Sequence, residues 1–152
     1  DRRQRQMCIR DSNTGDTHMA KFNGNNLASN DLKQLNYLMR DRRTGEIKRI
    51  DPNLFVKLNQ LQQRLGLRNA EVVVISGYRS AKTNAKLRLE HHGVASNSFH
   101  IKGQAVDIQI SGVPLAKVKQ AAESLSNGGV GYYPRSNFVH VDTGPVRTWR
   151  GV

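Results

Sequence analysis

The amino-acid sequence predicts an α+β domain in which helices pack on a mostly antiparallel sheet. Segments with apolar residues at helical spacing supply the helices, and short β-branched or alternating runs supply the strands. The order is helices first and then strands, with one helix inserted among the strands, which favours α+β over alternating α/β architecture. A chain of 152 residues suits one domain with a hydrophobic core, and no internal repeat occurs in it.

The N-terminal segment, residues 1–12, is predicted to be a basic arm, because its opening DRRQRQ is too charged to bury, and within residues 1–20 the arm is predicted to be followed by a strand and a turn. Residues 13–152 are predicted to form the single domain, beginning with turn chemistry at 13–16. A helix is predicted over 30–40, with Asn30 as its cap, since leucines recur there every three residues.

A second helix is predicted to begin at Asp51-Pro52 and to end at Gly66. Asp51 is a favourable N-cap residue, and proline is well tolerated at the first helical position. The β-branched run at 71–76 predicts a buried strand. Residues 80–93 are compatible with either a helix or an irregular loop.

The C-terminal half is predicted to supply most of the sheet. Residues 104–110 alternate between the two faces as a strand does, and 116–126 have helical spacing. Two short strands are predicted at 130–133 and 138–141.

Charge favours an anionic partner. The chain has 24 Lys and Arg against 12 Asp and Glu, a formal net charge of +12, which suits nucleic acid, an acidic membrane surface or an anionic bacterial wall polymer. Aromatic residues make up only 6%, and no recognised nucleic-acid-binding signature occurs, so we expect no nucleic-acid partner. No apolar run approaches the length of a membrane span, so we expect no transmembrane segment. A single cysteine, Cys8, excludes a disulfide within the chain.

The candidate functional residues are two histidines and one aspartate. Asp107 lies within the apolar strand AVDIQI, where an unpaired carboxylate would be costly. His100 lies just before that strand, and His140 lies inside a later one. Two histidines and a carboxylate match the three protein ligands of a catalytic zinc site. The alternative is that Asp107 forms a salt bridge and each histidine is an ordinary core residue.

Residues 98–108, SFHIKGQAVDI, resemble the Ser-x-His-x-x-Gly-x-Ala-x-Asp signature of the zinc D-Ala-D-Ala carboxypeptidase and murein endopeptidase superfamily, which includes lysostaphin-type peptidases and hedgehog. Residues 76–80 resemble the arginine segment of that family, and 129–132 and 138–144 resemble its closing strands. The segments occur in the family order over roughly residues 30–150.

The details are most similar to the periplasmic murein endopeptidase branch. They are the turns Asn-Thr-Gly-Asp and Arg-Thr-Gly-Glu near the beginning, and Arg147 and Trp149 near the end. The resemblance implies a hedgehog-like or D-Ala-D-Ala-peptidase-like fold, peptidoglycan peptides as substrate, and a periplasmic location after removal of an export segment. We expect a monomer.

The resemblance further implies one zinc ion per chain, held by His100, Asp107 and His140. Such an ion would polarise the scissile carbonyl and activate a water molecule. Arg79 would then steady the oxyanion or a substrate carboxylate, because arginine is permanently charged and can bind bidentately. A structural salt bridge at the strand end is the alternative role for Arg79.

The general base departs from the family pattern. Many relatives carry a histidine two residues before the last ligand or a glutamate three before it, but Phe138 and Asn137 occupy these positions here. Asp142 would share a strand face with His140. It is therefore a candidate for the base, or for accepting the ring N–H of a ligand histidine, and we favour the latter. This departure keeps open an alternative function, a zinc-stabilised binding module without catalysis.

The remaining candidates concern the substrate. Ser98 and Tyr132 are predicted to bind it, with Ser98 also shaping the bend before the strand. Tyr133 is the other tyrosine that could line a cleft, and one of the two is expected in the core. His91 and His92 could reach the site, although a solvated loop is the favoured interpretation. Trp149 is expected to pack the C-terminal tail.

Overall fold

The computed structural model describes residues 4–90, 94–95 and 98–152, which fold around one eight-stranded sheet. The strands are β1 (Gln4–Asp11), β2 (Thr17–Asn23), β3 (Asn26–Leu27), β4 (Asn69–Ser76), β5 (Ala105–Ile110), β6 (Gly129–Tyr133), β7 (Phe138–Asp142) and β8 (Arg147–Arg150). The helices are α1 (Ser29–Leu38), α2 (Pro52–Arg64), α3 (Ala81–Glu90) and α4 (Leu115–Ser124).

The strand order is β3-β2-β1-β4-β5-β7-β6-β8. Strands β1 and β4 are parallel, as are β6 and β8, and all other neighbouring pairs are antiparallel. The predicted α+β class with a mostly antiparallel sheet is therefore confirmed.

The predicted basic arm at 1–12 is wrong for the part that the structure describes, because β1 is an internal strand between β2 and β4. Met7 and Ile9 are fully buried, and Arg5 donates from Nη1 to the carbonyl of Leu67 at 2.8 Å. A strand needs apolar residues only at alternate positions, so charged neighbours do not prevent its burial.

Helix α2 begins as predicted. The side chain of Asp51 accepts a hydrogen bond from the backbone N–H of Asn53 at 3.0 Å. Helix α1 differs from the prediction, because Ala28 rather than Asn30 precedes it and no side chain caps it. Residues 80–93 were compatible with a helix or an irregular loop, and the structure has a helix, α3, over ten of them. Residues 91–93 lie outside the described ranges.

The two faces of the central strands have different roles. Side chains of β5, β6 and β7 that point to one face join the hydrophobic core, which also includes buried residues of α1, α2 and α4. Polar side chains of the same strands point to the other face and line a cleft. None of the helices in the described part of the chain has both the length and the apolar composition needed to cross a bilayer.

Candidate metal centre and cleft

Cross-strand register places five residues in one row across the sheet. The row runs through Ser76 (β4), Asp107 (β5), His140 (β7), Gly131 (β6) and Trp149 (β8). A register irregularity between Val74 and Ser76 brings Ser76 opposite Asp107. The row therefore sets the carboxylate of Asp107 directly beside the ring of His140.

Asp107 and His140 of this row form a buried cluster with His100, which lies in the turn before β5. Their ligand atoms all lie within 4.8 Å of one another. Oδ1 of Asp107 lies 3.0 Å from Nδ1 of His140 and 3.2 Å from Nε2 of His100. The structure thus brings together the three residues that the sequence indicated as a metal-binding set.

The orientation of the His100 ring is fixed from outside the cluster. Its Nδ1 lies 2.8 Å from the carbonyl oxygen of Gly77. Because a carbonyl can only accept, Nδ1 must carry the hydrogen, which leaves a lone pair on Nε2. Nε2 is buried and has no hydrogen-bond partner among the described residues, since Oδ1 of Asp107 at 3.2 Å is also an acceptor.

The His140 ring is fixed by a carboxylate. Nε2 of His140 lies 2.7 Å from Oδ2 of Asp142, and Nδ1 lies 3.0 Å from Oδ1 of Asp107. In the neutral tautomer that carries its hydrogen on Nε2, the ring donates to Asp142 and the lone pair lies on Nδ1, facing Asp107. Lone pairs of two nitrogens and one carboxylate oxygen thus converge in a buried space. Such an arrangement is repulsive unless a cation or a proton joins it, so the three residues fit a bound metal ion.

The protonation of the metal-free cluster leads to the same conclusion. Burial acts to lower the pKa of His140, but hydrogen bonds to Asp107 and Asp142 outweigh it and raise this pKa above its ordinary value. Burial lowers the pKa of His100. Burial alone would raise the pKa of Asp107, yet the two histidines hold it well below its usual range. A proton therefore competes for the place that a metal would occupy.

Asp142 is fully buried and its carboxylate is saturated. Oδ1 accepts from the N–H groups of Gly129 and Gly144, each at 2.9 Å, and from Arg147 Nη1 at 3.1 Å. Oδ2 accepts from His140 and from Arg147 Nη2 at 2.9 Å. Burial would raise the pKa of Asp142, but these donors hold it well below its usual range. The carboxylate has no free position from which to take a proton from water.

Lys57 supports this part of the site from α2. Its Nζ donates to the backbone carbonyl of Asp142 at 2.9 Å, and the side chain is almost completely buried. Burial lowers the pKa of Lys57 to about 8, although the negative charge of Asp142 opposes this.

Arg79 lies beside the cluster with unused hydrogen-bonding capacity. Nη1 donates to Oδ1 of Asn84 at 3.2 Å, and Nη2 lies 3.7 Å from Oδ2 of Asp107. Nε is buried and has no partner among the described residues. Burial lowers the pKa of Arg79, and the negative charge of Asp107 opposes this shift.

The segment that carries Arg79 is anchored by Asp41. Its carboxylate accepts from the N–H groups of Ser80 at 2.8 Å, Arg43 at 2.8 Å and Thr44 at 3.1 Å. Burial would raise the pKa of Asp41, but these hydrogen bonds lower it below its ordinary value. Asp41 thereby links the Arg-Thr-Gly-Glu turn, through Arg43 and Thr44, to the segment that carries Arg79.

The cluster forms part of a cleft of about 1180 Å³. Ligand pockets for small molecules commonly occupy roughly 300–1000 Å³, so the cleft suits a longer substrate. Its arginines are Arg40, Arg42, Arg43, Arg79, Arg147 and Arg150, and its acidic residues are Asp11, Asp41 and Asp107. The lining is therefore cationic around the metal-binding cluster.

Comparison with known proteins identifies the family. A family model described as "Peptidoglycan L,D-endopeptidase MepK" matches residues 1–149. The chain belongs to this peptidase family. The relative named "Probable peptidoglycan L,D-endopeptidase MepK" from Haemophilus influenzae is 58% identical over 147 residues, covering 96% of this chain and 79% of the relative. The MepK peptidoglycan L,D-endopeptidase of Escherichia coli K12 is 49% identical over 148 residues, covering 97% and 81%.

Membership in the MepK family confirms the resemblance to the murein endopeptidase branch and that this chain is a peptidase.

The two predicted substrate-binding residues, Ser98 and Tyr132, lie in different places. Ser98 lines the cleft, and its Oγ accepts the N–H of His100 at 3.1 Å, which stabilises the turn that presents His100.

The structure does not bring Tyr132 to the site of this MepK-family chain. Tyr132 points to the opposite face, where Nζ of Lys119 lies 5.6 Å from its ring centroid. Tyr133 lines the cleft instead, because Gly131 pairs with His140 and side chains two residues apart share a face. Only the strand register shows which of the two tyrosines lines the cleft.

Trp149 also lines the cleft, and its ring centroid lies 5.1 Å from that of His140. Its expected role was only to pack the C-terminal tail. The Arg147–Asp142 ion pair was not predicted either, although both residues stood out in the sequence. His91 and His92 lie outside the described residues.

Proposed function

We propose that this protein is a zinc-dependent L,D-endopeptidase that hydrolyses peptide cross-links in bacterial peptidoglycan. The observation that carries the proposal is the convergence of three lone pairs, from His100, Asp107 and His140, at one buried point on the wall of a cationic cleft. The named activity of the relatives, peptidoglycan L,D-endopeptidase, supports the choice of substrate and bond.

Zinc would be held by Nε2 of His100, the carboxylate of Asp107 and Nδ1 of His140. Two imidazoles and one carboxylate are an established ligand set for catalytic zinc, and such a set leaves a coordination position for water or substrate. When bound, the ion would polarise the scissile carbonyl and lower the pKa of water to about 7.

The chain's own residues would orient these ligands and the substrate. Asp142 holds the His140 ring and Gly77 holds the His100 ring, so each presents the required nitrogen. Because its carboxylate is saturated, Asp142 acts through His140 rather than as a general base. The guanidinium of Arg79 binds the carbonyl oxygen as negative charge develops, or a nearby substrate carboxylate.

The substrate class follows from charge. Peptidoglycan stem peptides carry free carboxylates, and the cleft offers several arginines to bind them. We propose that the protein acts on this polymer outside the cytoplasm, in the periplasm, and as a monomer.

The experiment is digestion of purified cross-linked muropeptides, followed by mass analysis of the products. The zinc-loaded protein should convert dimers to monomers, and the product masses should show cleavage of an L,D-peptide bond. His100→Ala and chelator-treated protein should leave the dimers intact. Products cleaved at another bond would contradict the L,D assignment. Zinc binding without any hydrolysis would favour the zinc-stabilised, non-catalytic module.

A further inference from the structure

We propose that Tyr133 is a further catalytic residue, whose hydroxyl donates a hydrogen bond to the scissile carbonyl oxygen in the transition state. The inference rests on the proposed peptidase function and adds a residue to it. The phenol keeps its proton throughout, so no covalent bond forms or breaks at Tyr133.

The register of β6 places Tyr133 on the site face. Gly131 pairs with His140, and Tyr133 follows two residues later on the same strand. Tyr133 lines the same cleft as Arg79, Asp107 and His140. Its hydroxyl lies 2.8 Å from Nε1 of Trp149, whose ring centroid is 5.1 Å from that of His140, so the hydroxyl is close to the candidate metal-binding cluster.

The ring of Tyr133 is held by two neighbours. It stacks on Phe138 with the ring centroids 4.6 Å apart and the planes inclined by 18°. Gly151 also packs against it, so closely that a Cβ there would clash with the ring. Only the hydroxyl hydrogen remains free to rotate, so the position of the oxygen is fixed before substrate binds.

The hydroxyl is oriented by Trp149. Nε1 of Trp149 donates to the Tyr133 oxygen at 2.8 Å, so the tyrosine hydrogen must point elsewhere. No acceptor for that hydrogen occurs in the ranges that the structure describes. Trp149 is itself held over Gly131, where a Cβ would approach its Cε2 to 2.6 Å. This chain of contacts leaves Tyr133 as a preoriented donor.

Ring packing does not explain the hydroxyl, whose oxygen accepts from Trp149 while its hydrogen stays unused among the described residues. Stacking on Phe138 and packing against Gly151 need only the ring, which phenylalanine would also provide. A neutral donor beside Arg79 would add to the stabilisation of a developing oxyanion without another buried charge.

The test compares two tyrosines of the same strand in the full-length, zinc-loaded protein. Tyr133→Phe should lower kcat for cross-linked muropeptides by about 10²–10³-fold, the usual effect of losing one oxyanion donor, with KM and zinc stoichiometry little changed. Tyr132→Phe, on the opposite face, should keep wild-type kcat. Trp149→Phe removes the orienting N–H and should give a smaller loss than Tyr133→Phe.

Wild-type kcat in Tyr133→Phe, or an increase in KM alone, would overturn the inference while leaving the peptidase function intact. If the wild-type protein and Tyr132→Phe both fail to cleave muropeptides, the proposed function fails and the inference with it. Thermal unfolding and zinc content identify a variant that is inactive because it is misfolded. If a variant is only partly folded and zinc-loaded, its kcat is calculated per zinc-loaded molecule. The corrected kcat and the KM are then judged as described for Tyr133→Phe.

Discussion

Nε2 of His140 lies 2.7 Å from Oδ2 of Asp142, and this contact determines which nitrogen of His140 faces Asp107. Arg147 in turn neutralises Asp142 through two hydrogen bonds to its carboxylate. The orientation of the proposed metal ligand His140 therefore depends on an arginine from β8, at the edge of the sheet.

We expect Asp142→Asn to weaken zinc binding by about 10- to 100-fold, since loss of an orienting carboxylate usually has that effect. Competition against a chelator measures the affinity. Asp16→Asn, which changes an exposed carboxylate in the β1–β2 turn, should bind zinc as the wild type does. Unchanged zinc affinity with lost hydrolysis would instead make Asp142 the general base.

Arg79→Lys should reduce kcat/KM by about 10²–10³-fold, because lysine keeps the charge but loses the planar set of donors. Zinc content should stay at the wild-type level, since Arg79 is not a ligand. Arg64→Lys, an exposed arginine of α2, is the matched control and should leave the kinetics unchanged. Wild-type kinetics in Arg79→Lys would limit Arg79 to a structural salt bridge.

Gly131→Ala should displace Trp149, because the added Cβ would lie 2.6 Å from the indole. Trp149 is the only tryptophan in the chain, so its fluorescence emission reports the displacement directly. We expect a changed emission spectrum together with reduced hydrolysis. Thr148→Ala, at the exposed neighbouring position of β8, should change neither. An unchanged spectrum in Gly131→Ala would show that Trp149 is not held over this glycine.

Lys57 should make the stability of the metal-free protein depend on alkaline pH. Burial lowers its folded-state pKa to about 8 from an ordinary value of 10.5. Between these values the unfolded chain binds more protons, so the free energy of unfolding contributed by this group rises with pH. Urea unfolding from pH 8 to 10.5 should therefore show a steeper rise in the wild type than in Lys57→Met.

The control for this measurement is Lys33→Met, at an exposed position of α1, which should follow the wild type across the whole range. Parallel pH profiles for the wild type and Lys57→Met would show that Lys57 titrates normally in the folded protein.

Local sequence patterns predicted most of the elements. The cap at Asp51 and the alternation in β5 are properties of neighbouring residues, which the sequence displays directly. The internal position of β1 in the sheet was missed because Met7 and Ile9 alternate with polar residues in a charged segment. Its stability comes from pairing with β4, more than 60 residues away in the chain, which no local pattern shows.

The site residues also divide into those that a local motif indicated and those that only strand pairing could show. The motif around His100 and Asp107 indicated a shared site with His140, and the structure brings the three together. The choice between Tyr132 and Tyr133 depended on the register of β6 against β7. The saturation of Asp142 depended on Arg147 and on the Gly129 backbone, which are brought together only by the folded sheet.

The most direct test of the account is a zinc titration of the metal-free protein, with bound zinc and muropeptide hydrolysis measured in the same samples. Hydrolysis should rise in proportion to bound zinc and saturate at one ion per chain. His100→Ala should show neither the high-affinity binding nor the activity. Full hydrolysis by zinc-free protein, or one bound zinc per chain without hydrolysis, would contradict the account.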